Sequence, residues 1–236
     1  MIKPKIFLSY KEIICATSTR TFGDCRKNCQ KFLKTLGIKR NNLVLAEQIH
    51  KDNIAIVKRG NGGEEIEGVD GLITKKRGLF LGVRTADCLP ILFFEPNVGI
   101  IGAVHAGWRG TLKNIAGRTV EAISREGGDI DYLLVYIGPH IKVCCYDSPL
   151  GRLQLFQKKF GEKRPIFKKA KKKIHLDLTY ANFYQLLKNG VKLENIEVSD
   201  FCTSCRTDLF FSFRKDKKKD YGEMLTIIGL KNDKKI

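Results

Sequence analysis

The fold class of this protein follows from residues 79–110, LFLGVRTADCLPILFFEPNVGIIGAVHAGWRG. It contains three short runs of β-branched and aromatic residues, at 79–84, 91–94 and 99–104, which predict strands. The segment directly after it, residues 111–125, repeats apolar side chains at the spacing of a helix. Several strands followed so closely by a helix predict a mixed α/β fold.

Patterns on either side extend the same architecture over the rest of the chain. Further strands are predicted at residues 42–49, 53–57 and 132–137, and helices at residues 26–36, 150–160 and 178–189. The segment 59–68, rich in glycine and glutamate, predicts a loop. Because neither a repeat nor a linker interrupts the 236 residues, we expect residues 1–236 to form one α/β domain.

The composition is typical of a folded globular protein rather than a disordered or membrane-spanning one. Hydrophobic residues make up 43% of the chain, and no apolar run reaches the roughly 20 residues that cross a bilayer. The N-terminal residues lack the apolar region and cleavage site of a secretory signal. We therefore expect a cytoplasmic protein without a membrane partner.

The formal net charge is +18, and lysine runs at 168–173 and 217–219 contribute much of it. Such a surface attracts nucleic acid without specificity and steers anionic substrates. Because no stacking aromatic residues alternate with the lysines, we favour a solvated surface over a specific nucleic-acid site. A basic nucleic-acid-binding protein with a vestigial active site is one alternative to an enzymatic function.

The eight cysteines are spread unevenly along the chain: Cys15, Cys25, Cys29, Cys88, Cys144, Cys145, Cys202 and Cys205. Without a secretory signal, reduced thiols or metal ligands are expected rather than disulfides. The CxxC pair Cys202 and Cys205 could be a redox pair, or half of a zinc site with Cys25 and Cys29, but we favour structural thiols. We expect the adjacent Cys144 and Cys145 to be poorly placed to bind one ion together.

Three residues able to bind a metal each stand close to the end of a predicted strand. His50, Cys88 and His105 come at or after the ends of the runs that begin at residues 42, 79 and 99. Strand ends are rigid and can meet in one crevice. Two imidazoles and one thiolate suit zinc, and three protein ligands leave the fourth position to water or substrate. Taken singly, each residue also has an ordinary explanation as a buried thiol or a surface histidine.

The residues next to these three predict a site for an anion. Gly107 and Gly110 allow a sharp turn of the chain, after which the N–H groups of the following helix would face a negative charge. Arg109 adds a planar guanidinium suited to phosphate or carboxylate. Asp87, beside Cys88, could orient a ligand, move a proton or cap a turn.

Six motifs follow one another in the order of a known family: Gln48-Ile49-His50, Thr85-Ala86-Asp87-Cys88-Leu89-Pro90, His105-Ala106-Gly107-Trp108-Arg109-Gly110, Ile137-Gly138-Pro139, Cys202-Thr203 and Phe210-Phe211-Ser212-Phe213-Arg214. In these motifs the sequence resembles the laccase-domain purine nucleoside phosphorylases, formerly called multicopper polyphenol oxidases, which include peptidoglycan editing factors. The likeness runs from about residue 17 to residue 228, and so many motifs in order make chance improbable.

The resemblance implies a single domain in which mixed β-sheets are sandwiched between helices, in α/β/β/α layers. It also implies that His50, Cys88 and His105 are the ligands of one Zn²⁺ ion and form the catalytic centre. Asp87 is the nearest candidate in the sequence for an acid–base role at that centre.

The reaction that the resemblance implies is phosphorolysis of adenosine, inosine, guanosine and methylthioadenosine with inorganic phosphate, together with deamination of adenosine. Arg20 and Arg214 lie in family motifs and, with Arg109, would meet phosphate or ribose. Two residues depart from the family pattern, since Cys29 and Glu223 stand where arginines are common. These departures bear on substrate range and rate more than on the metal site.

Three other enzyme classes are weighed against this one. A laccase needs an imidazole-rich cluster of several copper ions, and four histidines and two methionines are too few to build it. A metal-free hydrolase or amidase acting on peptidoglycan precursors would use Cys88 as a nucleophile activated by His105 or His50. The H-x-E and P-C-x-x-C signature of cytidine-deaminase-type zinc enzymes is absent from the sequence.

Overall fold

Two mixed β-sheets with helices on their outer faces make up the structure, a computed structural model that describes residues 1–161, 165–170, 173–216 and 221–232. In chain order the elements are β1 (Ile13–Thr17), α1 (Gln30–Thr35), β2 (Leu43–Ala46), β3 (Ile54–Ile56), β4 (Glu65–Ile66), β5 (Gly71–Thr74), β6 (Phe80–Thr85), β7 (Leu89–Glu95), β8 (Ile100–Ala106), α2 (Trp108–Leu112), α3 (Ile115–Arg125), β9 (Leu134–Ile137), α4 (Leu150–Phe160), β10 (Phe167–Ala170), β11 (Lys173–Leu176), α5 (Leu178–Lys188), β12 (Ile196–Val198) and β13 (Met224–Leu230). Among the described elements, no helix is long and apolar enough to cross a bilayer. The lysine run at 217–219 and part of the run at 168–173 lie outside the described residues.

The sheets differ in strand order, and the chain crosses between them several times. Sheet 1 has the order β1-β13-β6-β2-β4, and sheet 2 has the order β12-β9-β7-β8-β5-β3. In sheet 1, β2 runs parallel to β6 and β4, whereas sheet 2 contains the parallel pairs β12–β9 and β3–β5. β10 and β11 form a separate antiparallel hairpin. Because β6 belongs to sheet 1 and β7 to sheet 2, the short segment between them crosses from one sheet to the other.

Alternation along the central strands sends neighbouring side chains into different cores. Phe93 of β7 packs in the core beneath α3 and α5, whereas its neighbour Leu92 shares the core between the sheets with Leu81 of β6. Ile123 of α3 reaches the first core, and Phe32 of α1 covers the opposite face of sheet 1. Strands that are buried on both faces have continuous apolar sequences, and the central strands of this protein show that pattern. The expected α/β/β/α layering is therefore confirmed.

The helix predicted at 111–125 is instead two helices, α2 and α3, which together begin three residues earlier. Asn114 separates them with φ of 69°, in the left-handed region. The side-chain amide of Gln185, in α5, donates a 2.7 Å hydrogen bond to the carbonyl of Thr111 at this break. The interruption is stabilised by a tertiary contact, which helical spacing along the sequence cannot reveal.

The other predicted elements differ from the structure mainly in length. The helix at 150–160 matches α4, and the helix at 178–189 ends one residue earlier as α5. The helix at 26–36 shrinks to α1, because the residues before it turn back to pair with the backbone of Glu223. The loop predicted at 59–68 contains β4. β1 and β13 were missed by the sequence patterns, although they pair with each other across almost the full chain.

We expect the core between the two sheets to contribute strongly to the free energy of unfolding. Leu81 is fully buried there, so Leu81→Ala should lower the free energy of unfolding by about 2–5 kcal/mol through lost burial and a cavity. Leu193, which is 64% exposed, is the matched control, and its change to alanine should cost about 0.5 kcal/mol or less. Urea denaturation measures both. Equal costs for the two variants would contradict the double-sheet core.

Candidate metal centre and its cavity

His105 is held rigidly within β8, one residue from its end. It lies on the same face of the strand as Ala103, towards sheet 1. Its Nδ1 donates a 2.8 Å hydrogen bond to Oδ1 of the fully buried Asp70 carboxylate, which leaves Nε2 free to bind a metal. The same carboxylate accepts the backbone N–H groups of His50 and Lys51, at 2.9 and 2.7 Å. Asp70, which the sequence predictions missed, thus orients one ligand and anchors the segment that carries another.

The segment that carries His50 follows β2 in an unusual backbone conformation. Gln48 and His50 have φ of 66° and 58°, in the left-handed region that non-glycine residues rarely enter. The side-chain amide of Gln48 donates to the carbonyl of Arg84 at 2.6 Å and accepts the Arg84 N–H at 2.7 Å. These two bonds tie the strained segment to the end of β6, so that His50 is brought beside the crossing between the sheets.

Cys88 lies at that crossing, directly before β7, and Asp87 precedes it with φ of 88°. The Asp87 carboxylate accepts the Thr203 hydroxyl at 2.6 Å, the Ser212 hydroxyl at 3.0 Å and the Arg214 N–H at 2.8 Å. Burial raises the pKa of Asp87, although these donors oppose the shift. Both carboxylate oxygens are therefore engaged in holding other segments, and an acid–base role for Asp87 stays a prediction.

The structure brings His50, Cys88 and His105 together. One possible ligand atom from each lies within 4.8 Å of the others, and the two imidazole rings meet edge to face with centroids 4.7 Å apart. A Cβ added to Gly107 would stand 3.3 Å from the Cys88 sulfur and 3.3 Å from Cδ2 of His50. The absence of a side chain at this position therefore leaves the room in which three ligands can converge on one ion.

The electrostatics of the group favour the form of the thiol that binds metals. Burial raises the pKa of Cys88, but the neighbouring His105 and His50 outweigh it and lower the value to about 6. Burial also lowers the pKa of His105, while the Cys88 thiolate and the Asp70 carboxylate raise it to about 10. A metal ion would take the place of the imidazole proton and keep the thiolate ionised.

The three residues open onto a cavity of about 410 Å³, within the usual range for a small-molecule site. Cationic and aromatic side chains form much of its wall. Besides the metal group, the wall includes Trp108, Arg109, Tyr146, Arg152, Phe213, Arg214, Tyr221 and Glu223. Such a lining offers both a site for an anion and flat surfaces for a ring system.

Two guanidinium groups stack on one indole ring in this cavity. Arg109 and Arg152 lie over the Trp108 ring, 4.5 and 4.4 Å from its centroid. Arg152 also donates to the hydroxyl of Tyr146 at 3.0 Å, and its buried Nε has no hydrogen-bond partner in the described part of the chain. Arg152 belongs to no motif and was missed by sequence reasoning, because it reaches the cavity only through the docking of α4.

The two other arginines predicted from the sequence are placed differently. Arg214 lines the cavity, with its guanidinium 5.0 Å from the Tyr146 ring centroid and 2.9 Å from Asp147. Arg20 is not among the described residues that line the cavity. It donates to both oxygens of Asp216 at 2.8 and 2.7 Å, and so braces the segment that carries Arg214. Direct contact between Arg20 and phosphate or ribose stays a prediction.

The two departures from the family pattern occupy different parts of the structure. Glu223 lines the cavity, and burial raises the pKa of its carboxyl, with Arg26 and Arg84 opposing the shift. Cys29 precedes α1 and packs against the core on the outer face of sheet 1. The Glu223 departure therefore changes the lining of the cavity, whereas the Cys29 departure changes core packing.

A second group of sulfur atoms forms away from these three ligands. The thiols of Cys144, Cys145, Cys202 and Cys205 offer ligand atoms that all lie within 4.8 Å of one another. The prediction that the adjacent Cys144 and Cys145 are poorly placed to share an ion is therefore wrong, because the turn they occupy directs both towards Cys205. Cys25 and Cys29 belong to neither group within the described residues.

The buried carboxylate of Asp70 should strengthen the binding of a metal ion by His50, Cys88 and His105. Asp70→Asn keeps the shape of the side chain but removes the charge that faces His105, so affinity should fall by about 10–100-fold. Competition with a chromogenic chelator measures it. Asp131→Asn, at a side chain that is 65% exposed, is the control and should leave affinity unchanged. Wild-type affinity in Asp70→Asn would contradict this role of Asp70.

Most of the chain is similar to proteins of one known family. A family model described as multi-copper polyphenol oxidoreductase laccase matches residues 21–231. The chain is 36% identical over 220 residues to purine nucleoside phosphorylase YlmD of Geobacillus stearothermophilus, covering 89% of this chain and 80% of that protein. It is 34% identical over 189 residues to adenosine deaminase RL5 of an unknown prokaryotic organism, covering 76% of this chain and 72% of that protein.

The fold also matches that of one of these relatives. The crystal structure of YlmD from Geobacillus stearothermophilus matches with a TM-score of 0.86 at 31% identity, covering 95% of this chain and 94% of that chain. Similarity in both sequence and fold over nearly the whole chain indicates a common family and not only a common architecture. The protein therefore belongs to the laccase-like family that includes proteins named purine nucleoside phosphorylase, as its six sequence motifs predict.

Proposed function

We propose that this protein is a zinc-dependent purine nucleoside phosphorylase that also deaminates adenosine. The observation that carries the proposal is the group of His50, Cys88 and His105 opening onto a cavity lined by arginines and aromatic rings. Relatives named purine nucleoside phosphorylase and adenosine deaminase support the two activities. The substrates are adenosine, inosine, guanosine and methylthioadenosine, with inorganic phosphate as the second substrate of phosphorolysis.

The donor set supports zinc as the metal. Two imidazole nitrogens and one thiolate fit a tetrahedral zinc site with one position left for substrate or water, whereas magnesium and calcium prefer oxygen ligands. The hydrogen bond from His105 to Asp70 fixes the tautomer that such a site needs. When bound, zinc supplies a Lewis acid beside the reacting groups.

Arginines in the cavity supply the positive charge that phosphate requires. We assign phosphate to Arg109, Arg152 and Arg214, which all line the same cavity. In phosphorolysis a phosphate oxygen bonds to C1′ of the ribose while the bond from C1′ to the purine breaks, and the electron pair leaves with the purine. The guanidinium groups orient the anion for this attack and hold its charge away from water.

The purine is assigned to the aromatic part of the cavity. Phe213 and Tyr221 meet edge to face with centroids 5.3 Å apart and present apolar surface to a flat ring. Glu223 is a carboxyl group in the same wall, and the pKa that burial raises suits it to give a proton to the departing purine. Asp87 acts as a positioning residue, because its oxygens hold the segment that carries Arg214.

The ligand thiol also bears on where the protein works. A thiolate at Cys88 must stay reduced to bind zinc, which the cytoplasm allows. All eight cysteines are free thiols in the structure. We propose that residues 1–236 act as one domain in the cytoplasm.

The proposal predicts a definite set of products. Purified protein incubated with adenosine should release adenine and ribose 1-phosphate only when phosphate is present, and inosine with or without phosphate. Inosine should give hypoxanthine and ribose 1-phosphate, and methylthioadenosine should give adenine and methylthioribose 1-phosphate, both in a phosphate-dependent way. Chelation should abolish every product and added zinc should restore it, because both reactions use the same centre. Liquid chromatography resolves the products.

Two cysteine substitutions distinguish a metal ligand from a thiol outside the cavity. Cys88→Ala should remove both activities, whereas Cys15→Ser, in β1 and away from the cavity, should retain them. Activity that survives complete removal of zinc, or silence on every nucleoside, would sink the proposed function.

The phosphate assignment predicts that one variant separates the two reactions. Arg152→Ala should lower kcat/KM for phosphate about 10- to 100-fold, equivalent to about 1.5–3 kcal/mol, through the loss of charged hydrogen bonds. Formation of inosine from adenosine, which needs no phosphate, should change much less. Arg125→Ala, at a side chain that is 76% exposed, is the control and should change neither reaction. Equal loss of both activities in Arg152→Ala would contradict the assignment.

A metal-free hydrolase is the second candidate, favoured by one specific observation. The pKa of Cys88, lowered to about 6 by His105 and His50 against the effect of burial, also suits a cysteine nucleophile. Such an enzyme would act on an amide or ester of a cell-wall precursor. It would keep its activity after chelation and lose it on alkylation of Cys88, the reverse of the pattern expected above.

A further inference from the structure

Four cysteines meet at the edge of sheet 2, at the ends of two parallel strands. Cys144 and Cys145 lie in the turn that follows β9, and Cys202 and Cys205 lie in the turn that follows β12. β9 and β12 pair in parallel, so their carboxyl ends and the turns beyond them emerge at the same edge. A further bridge between His140 and Cys202 extends this pairing past the strands. The topology therefore juxtaposes two cysteine pairs that are about 60 residues apart in the chain.

The distances between the sulfur atoms suit a shared ion. Cys205 Sγ lies 3.3 Å from Cys145 Sγ and 3.6 Å from Cys144 Sγ, and all four sulfurs fall within 4.8 Å of one another. Four thiolates around one zinc ion, with Zn–S bonds of about 2.3 Å, would stand about 3.8 Å apart. The backbone N–H of Lys142 points at Cys202 Sγ, 3.4 Å away, as a donor to a metal-bound thiolate would.

We propose that Cys144, Cys145, Cys202 and Cys205 bind a second, structural zinc ion. Four thiolates complete the tetrahedral coordination of zinc and leave no position for substrate, which is typical of structural rather than catalytic sites. Cys202 is buried, while Cys144 and Cys205 are exposed, so that an ion can enter from solvent. This proposal does not depend on the proposed enzymatic activity.

The site would fasten together two segments that shape the catalytic cavity. Ile141 and Tyr146, which flank the first cysteine pair, both line the cavity. Thr203, within the second pair, donates to Asp87 beside the other metal group. A metal clip across about 60 residues also restricts the unfolded chain, which stabilises the folded form. The second ion would therefore support the wall of the cavity without touching substrate.

Metal counting tests the proposal directly. Protein purified under reducing conditions and loaded with zinc should contain two ions per chain by mass spectrometry of the native protein. The double variant Cys144→Ser, Cys205→Ser should retain one ion, and Cys88→Ala should also retain one, since each removes a different site. Cys29→Ser, a thiol outside both groups, should retain two.

The Cys88→Ala variant makes failure of this proposal distinguishable from failure of the proposed function. Because it lacks the catalytic centre, a zinc ion that remains in it belongs to the cysteine cluster. Cobalt added to this variant should give the thiolate-to-metal charge-transfer absorption of a four-sulfur site. A zinc-free Cys88→Ala protein without this absorption would overturn the second site, whatever the enzyme assays show.

Alkylation of the wild-type protein provides a test that needs no cysteine variant to fold. Bound zinc should slow the labelling of Cys144 and Cys205 by iodoacetamide, and chelation should restore fast labelling, whereas labelling of Cys29 should stay constant. Equal labelling with and without zinc would overturn the proposal. So would a disulfide between Cys145 and Cys205 in protein kept under reducing conditions, because it removes two of the four ligands.

Discussion

The site depends on the buried carboxylate of Asp70. A charge removed from water is costly unless it is fully hydrogen-bonded, and this carboxylate accepts the imidazole of His105 and the backbone N–H groups of His50 and Lys51. The need to satisfy one buried charge therefore fixes the tautomer of one ligand and the position of another. The strained backbone at His50 persists because these bonds and the amide pairing of Gln48 determine it from both sides.

A second carboxylate organises the wall of the cavity in a similar way. Asp87 gathers the segments that carry Thr203, Ser212 and Arg214 onto the crossing between the sheets. Its neighbour Cys88 is consequently held where the two sheets meet, within reach of both imidazoles. Cavity shape and metal position are thus coupled through adjacent residues of one short segment.

The cavity combines a charged part and a flat, apolar part, and a nucleoside with phosphate needs both. Arg109 and Arg152 both lie over the Trp108 ring, so one indole helps to position two cations in the cavity wall. Glu223 introduces a carboxyl group into the same space, at a position where the resemblance implied an arginine. The cysteine cluster lies behind the wall near Tyr146, and a metal ion there would stiffen the cavity from outside.

Hydrophobic periodicity predicted the strand-rich α/β class, because it is a local property of the chain. The layering and the three metal ligands were implied by the family motifs, which are also local. The sequence did not reveal Asp70, Arg152 or the cysteine cluster, since each acquires its meaning from a partner distant in the chain. Asp70 acts through His105, 35 residues away, and the two cysteine pairs meet only because β9 and β12 lie side by side. Periodicity and propensity describe how a single segment folds, whereas contacts between distant segments depend on strand order and helix docking, which arise only when the whole chain packs.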